Sequence, residues 1–316
     1  MHLFSKVPQI AFMARRQISM IVSLVLVLGS MVSLGVQGLN FGLDFSGGTL
    51  IELGYKEAVD ITRTRDGLAK AGFDDAVVQH FGTARDVIVR LAPREGVSEA
   101  DLSSKVIKSL ENLGGEFETR RVEFVGPQVG EELTEDGGLA VVYALICIFI
   151  YVFFRFEWRF ALGAVIALFH DVLITLGIFS AFQLEFDLTV LAACLAVIGY
   201  SLNDTIVVCD RIRENFRKMR KGTSMEIVDA SLNQTLARTL TTSVTTLLVL
   251  IALLFFGGEL IRGFSIALII GIVVGTYSSI YVASSSALAL GISKADLMPV
   301  KKEGLEGEEE GADYVP

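Results

Sequence analysis

Four ionisable residues stand where an apolar chain has no ordinary use for charge. His170 and Asp171 fall about ten residues into one apolar block, and Asp204, beside Asn203, about fifteen residues into the next. Arg238 lies at the mouth of a third. An ionisable group inside a hydrocarbon-spanning segment is costly, and by default it marks a proton or ion path. On helices of opposite direction, Asp204 and Arg238 come to similar depths and are expected to pair. Tyr200 and Ser201 share a helix face with Asp204 through i,i+4 and i,i+3 spacing, as Thr242 and Thr245 do with Arg238. Thr239, Ser243 and Thr246 lie beside that second face. Such a hydroxyl track can hold water. Burial disfavours a carboxylate and a neighbouring guanidinium favours it. A helix shift that changed their separation would therefore make Asp204 take up and release a proton. Two plainer readings stay open: a static ion pair that fixes helix register, and threonines that satisfy one another or their own backbone.

The elements that must hold these residues are membrane spans. Of 316 residues, 52% are hydrophobic and 20% charged, with a mean hydropathy of +0.57. The apolar residues gather in blocks near twenty residues, the length that crosses about 30 Å of hydrocarbon at about 1.5 Å per residue. Six blocks are predicted, at 18–36, 139–156, 160–182, 188–208, 240–256 and 264–290. The first is longer than a signal-peptide core and lacks a small-x-small cleavage site, so it reads as an uncleaved anchor. Arg15 and Arg16, then Arg155 and Arg159, then Arg211, Arg213, Arg217, Lys218, Arg220 and Lys221 fall on one side of a six-span chain. That side is expected to be cytoplasmic. It holds both termini: residues 1–17 and a disordered, glutamate- and glycine-rich tail at 291–316.

Between 37 and 138 the composition turns soluble. Alternation predicts strands at Gly48–Leu53, Ala76–Phe81, Val87–Leu91 and Glu116–Val125. Helical spacing predicts Ile61–Ala71 and a helix opened by Ser98, with Asp101 at the capping-box position. The order β-α-β-β-α-β is the ferredoxin-like α+β pattern. Acidic residues outnumber basic ones by eight here, which reads as a solvated surface or as a contact face for a partner or a passing chain. His80, the segment's lone histidine, reads as structural. Cys147, Cys194 and Cys209 lack metal-ligand spacing and read as apolar packing residues. The net charge of −9 argues against a nucleic-acid partner. No Walker-type nucleotide loop, cofactor signature or metal-binding set is present.

The run Gly199-Tyr200-Ser201-Leu202-Asn203-Asp204-Thr205-Ile206-Val207-Val208, continuing through Asp210, Arg211, Arg213 and Glu214 to Asn215, resembles the signature of the SecD/SecF family of protein-export membrane proteins, on its SecF side. Gly42 to Thr49 resembles the family's entry into its periplasmic domain, and Val125 to Gly130 its exit. His170-Asp171 and Arg238-Thr239 resemble its third- and fifth-span motifs. Cys209 departs from an expected aromatic residue without touching the proposed roles. The resemblance implies half of an RND-type transporter bundle in the bacterial inner membrane, with SecD supplying the other half. It implies a proton-driven late step of preprotein translocation through SecYEG and release on the periplasmic side. The implied partners are SecD, the SecYEG channel, YidC, the preprotein and membrane lipid. No cofactor is implied beyond transported protons, and Asp204 and Arg238 fall on the family's proton-coupling positions. The rival readings are an intramembrane aspartyl protease using Asp171 and Asp204, an RND-type small-solute/proton antiporter half, and a passive translocon scaffold. Against the protease stand the missing Gly-x-Gly-Asp pattern and an expected depth difference of about half a span between the two aspartates.

Overall fold

The computed structural model describes residues 8–94, 98–219 and 221–293. Most of the tail predicted as disordered, the first seven residues and Arg220 lie outside the described residues.

Among the described residues, six helices are long and apolar enough to cross a membrane. They are α1 (Arg16–Val36), entered through a 3-10 turn at Met13–Arg15, α5 (Pro127–Arg155), α6 (Trp158–Ala181), α7 (Leu188–Lys218) and α8 (Ser224–Phe256). The sixth runs from α9 (Arg262–Ser278) through a π-helical turn, Ser279–Ala283, into α10 (Ser284–Ala289). α6, α7 and α9 form the centre, while α1, α5 and α8 turn apolar faces outward, as at Ile146, Ile150 and Phe154 of α5. Lipid tails give no hydrophobic drive for helix association, so close van der Waals contact must do it, and small residues allow the approach. A Cβ on Gly271 would lie 2.1 Å from Val197 Cγ2, and one on Gly275 3.0 Å from Ser201 Cβ. Gly271 and Gly275, four residues apart on α9, thus let it pack closely on α7. Gly177 of α6 sits equally tight against Ser30 of α1.

Several helices outrun their apolar blocks. α5 starts at Pro127 rather than 139, because proline at the first helical position is pre-set for a helix start. Its first turns carry Glu131, Glu132, Glu135 and Asp136, which no hydropathy window includes. α7 runs ten residues past 208. α8 begins sixteen residues before 240, at a capping box of Thr223 and Glu226. The last stretch of the soluble segment, 127–138, is therefore already helix α5.

That segment runs β1 (Asn40–Phe41), α2 (Leu43–Ser46), β2 (Gly48–Tyr55), α3 (Ile61–Lys70), β3 (Val77–Phe81), β4 (Thr83–Leu91), α4 (Glu99–Leu113) and β5 (Phe117–Val125). β2 to β5 form one antiparallel sheet in the order β3-β4-β2-β5. Strand alternation sends Ile51, Leu53, Val87 and Val89 to one face, where Leu68 of α3 and Leu102, Val106 and Leu110 of α4 cover them. Leu50 and Ile88, on the other face, pack on Leu43. Asp60 caps α3 through Thr62 N–H at 2.9 Å, and Ser98 caps α4 through Asp101 N–H at 3.2 Å.

β1 and α2 were not foreseen, nor was β6 (Glu185–Phe186), and together they join domain to bundle. β1 pairs parallel with β6, Asn40 opposite Glu185 and Phe41 opposite Phe186. Phe45 stacks on Phe186 at 5.8 Å, and Arg90 of β4 is ion-paired with Glu185. The far end of the bundle is a different surface. There Ile10 N–H donates to Asn233 Oδ1 at 2.9 Å and Ser224 Oγ to Ile292 O at 3.1 Å.

Candidate functional site

The ionisable groups singled out in the sequence fall, within the bundle, into two neighbouring polar groups. The first centres on Asp171, which is 1% exposed. Its Oδ1 lies 2.8 Å from His170 Nδ1, and its Oδ2 accepts from Ser201 Oγ at 2.5 Å and Ser278 Oγ at 2.7 Å. One carboxylate thus ties α6, α7 and α9 together. Thr205 and Ser279 hydroxyls, 2.9 Å apart, extend the α7–α9 seam. A carboxylate held by three donors in a low-dielectric core is stabilised where an unpaired one would be costly. Removing one donor strands the others' acceptor, so the cluster acts as a unit.

The second group surrounds Asp204, which is 4% exposed. Its Oδ2 is buried without a hydrogen-bond partner, and so is Thr239 Oγ1 across the α7–α8 seam. The two hydroxyl and carboxylate groups interact without reaching hydrogen-bond geometry, and the charge of Arg238 acts on Asp204 through space. Asn203 and Arg238 instead line an open groove of about 720 Å³ between the ends of α7 and α8. Asp210, Arg211, Arg213, Glu214, Arg217 and Lys218 complete its charged rim.

Several expectations change. Asp204 and Arg238 form no ion pair among the described residues: one side chain lies inside the bundle and the other lines the groove. The reason is local, since Arg238 and Thr239 are helix neighbours about 100° apart and only Thr239 points inward. Thr242 and Thr245 do not line a track to Asp204. Thr242 donates to Arg238 O at 3.1 Å and Thr245 to Thr241 O at 2.8 Å, each bonding its own helix one turn back. Tyr200 and Ser201 also part ways, Tyr200 Oη reaching Thr246 Oγ1 at 3.5 Å while Ser201 turns to Asp171. Nor do the two aspartates differ in depth by half a span. Asp171 touches Ser201, which precedes Asp204 by three residues, a rise of about 4.5 Å. No sequence signal singles out Ser278 as a partner of Asp171. Cys194 and Cys209 are buried, whereas Cys147 faces outward from α5.

Comparison with known proteins agrees with this architecture. Residues 105–293 match the family model described as protein export membrane protein SecD/SecF, C-terminal, and residues 32–59 match the SecD/SecF GG motif. The chain is 57% identical over 303 residues to the protein translocase subunit SecF of Vibrio alginolyticus, covering 95% of this chain and 96% of that one. It is 52% identical to the SecF subunit of Pseudomonas aeruginosa, covering 93% and 95% of the two chains, and 50% identical to that of Escherichia coli O157:H7, covering 92% and 90%. Among solved structures it resembles SecDF, a translocon-associated membrane protein from Thermus thermophilus, with a TM-score of 0.82 and 38% identity. A SecDF in a super-membrane-facing form gives a TM-score of 0.67 at 39% identity. In both cases the match covers 90% of this chain but spans only 39% of the SecDF chain. The chain belongs to the SecD/SecF family of protein-export membrane proteins, as a SecF-type translocase subunit.

Proposed function

We propose that this SecF-type subunit couples inward proton movement to the late, periplasmic stage of preprotein export, with the Asp204 carboxylate as the group that carries the proton. The observation that carries the reading is Asp204 itself: a carboxylate buried in a membrane bundle, with one oxygen free of partners, one residue from the Asn203 and Arg238 groove. A structural carboxylate would have its acceptors filled, as Asp171 does. A group that must gain and lose a proton needs one left open. One proton crossing 100 mV is worth about 2.3 kcal/mol, enough to bias a conformational equilibrium of a few kcal/mol. The fall in TM-score between two SecDF forms at equal coverage supports a fold with more than one arrangement.

In this reading the basic end of the bundle, with both termini, is cytoplasmic, and the membrane is the bacterial inner membrane. The strand order and β-α-β-β-α-β succession support a ferredoxin-like domain, facing the periplasm. Six spans and the match to part of the SecDF chain support a complex with SecD, each supplying half of an RND-like bundle. SecYEG, YidC and the emerging preprotein are its further partners, and protons its only cargo. The chain itself is not an enzyme. Asp171, saturated by His170, Ser201 and Ser278, has no spare oxygen to share a protease proton with Asp204.

The test is secretion into sealed vesicles with and without a proton gradient. Asp204→Asn and Arg238→Met are expected to assemble with SecD and keep ATP-driven secretion, yet lose the stimulation by the gradient. Unchanged stimulation in Asp204→Asn would leave only a passive scaffold.

A further inference from the structure

His170 is 5% exposed, and its Nε2 is buried without a hydrogen-bond partner. Its other nitrogen faces Asp171 Oδ1 at 2.8 Å. Asp171 also takes hydroxyl protons from Ser201 and Ser278, which suits the ionised, acceptor-only carboxylate. Nδ1 then carries the imidazole hydrogen, and Nε2 is the imine nitrogen, with its lone pair turned into the bundle.

From this we infer that His170 and Asp171 form a second proton-carrying station, with Nε2 as the atom that binds the proton. The inference rests on the proton-driven reading above. In one passage an incoming proton forms an N–H bond at Nε2, giving an imidazolium beside the Asp171 carboxylate, so the dyad goes from one net negative charge to a neutral pair. The same bond breaks when the proton passes on to the Asp204 carboxylate, and the imidazole returns to its starting form. The order follows from position. Ser201 touches Asp171 and sits about 4.5 Å nearer the domain end of α7 than Asp204. The dyad is therefore the domain-side station, and Asp204, beside the basic groove, the exit station. Beyond the dyad the α1–α6 seam carries further hydroxyls, Ser33 and Ser180, with oxygens 2.9 Å apart. The titratable groups facing the imidazole are Asp171 on its own helix and Tyr277, stacked on it from α9 at 6.2 Å. From α7 the Ser201 hydroxyl reaches Asp171, and from α1 Ser23 and the Ser19 carbonyl bond the Tyr277 hydroxyl.

Asparagine separates the roles, because its amide nitrogen keeps a donor near the Nδ1 position while no basic nitrogen remains. In inverted vesicles carrying the whole export machinery, His170→Asn is expected to keep co-purification with SecD and ATP-driven secretion. Gradient stimulation should fall to the Asp204→Asn level. Full stimulation in His170→Asn, with loss in Asp204→Asn, would overturn the second station and leave the proton-driven reading intact. Full stimulation in both would overturn the two together. If His170→Asn does not accumulate, nitrogen NMR of histidine-labelled wild-type chain in vesicles decides. Protonated and lone-pair Nε2 signals at acidic and alkaline pH support the station, and a lone-pair signal alone at both overturns it.

Discussion

The N–H of Leu188, first residue of α7, donates to the Asp44 carboxylate at 3.0 Å, 144 residues away in the chain. The span that carries Asp204 is thus capped in part from the entry segment of the outer domain. Asp187 supplies the second cap, accepting from Val190 N–H at 2.8 Å. A carboxylate at a helix N-terminus satisfies open N–H groups and complements the helix dipole. Motion of the domain relative to the bundle would pull on this bond first. Replacing Asp44 with Ala should cost about 0.5–2 kcal/mol of local stability, and Asn should cost less. Hydrogen exchange at 188–191 should quicken in Asp44→Ala while exchange in the sheet stays unchanged.

Gly48 opens β2 with φ at +118°, and a Cβ there would lie 2.3 Å from Leu91 O. Neither the conformation nor the space admits a side chain. Gly48→Ala should weaken the β2–β4 edge by more than the roughly 1–3 kcal/mol of a strained residue alone, because the backbone oxygen cannot retreat. Limited proteolysis should cut the 40–60 region faster than in the wild type.

How far the sequence carried this picture varies by element. The six spans were legible because hydrocarbon demands an unbroken apolar length, and Ser98 with Asp101 marked the start of α4 by cap chemistry. The helix over 127–138 gave no signal, because a helix that leaves the bilayer loses its apolar pattern without losing its backbone bonds. β1 and β6 are two residues each, too short for any period. The site divided in the same way. Asp204, Arg238, His170 and Asp171 stood out by type, since charge inside a span is costly. The spacing of one helix tells which residues share a face, but not which helix that face meets. The Asp204–Arg238 pair and the Thr242–Thr245 track therefore failed, while Ser201 and Ser278 on Asp171 stayed invisible until three helices were packed.

Gly271 offers a test of that packing. Its missing Cβ would collide with Val197, a β-branched side chain with no freedom to swing away. Gly271→Ala should lower stability by about 1–3 kcal/mol, seen as a reduced melting temperature in detergent. Val197→Ala on the same chain should restore part of the loss. Independent, additive losses from the two substitutions would show that α9 and α7 do not meet there.

Tyr55, at the end of β2, is half-buried, and loss of solvent pushes its hydroxyl above the ordinary tyrosine pKa of 10.0. Below pH 10 the group is neutral folded or unfolded and stability does not depend on it. Above that the unfolded chain ionises first, so stability falls as pH rises from the unfolded value to the folded one. The chain should lose stability on that alkaline limb, and Tyr55→Phe should flatten it. Equal slopes for the two chains in denaturant titrations above pH 10 would count against the burial.

Thr239 separates chemistry from packing beside Asp204. Its Oγ1 is buried with no hydrogen-bond partner, opposite the equally unpartnered Oδ2 of Asp204. Replacing a hydroxyl that makes no bond with a methyl of the same shape removes a desolvation cost of about 1–3 kcal/mol. Thr239→Val should therefore melt no lower than the wild type. If the hydroxyl serves Asp204 only when the bundle rocks, gradient-stimulated secretion should still fall in Thr239→Val, and Thr239→Ser should restore it. A stable Thr239→Val chain with full stimulation would mean that Asp204 exchanges its proton with the groove without help from α8.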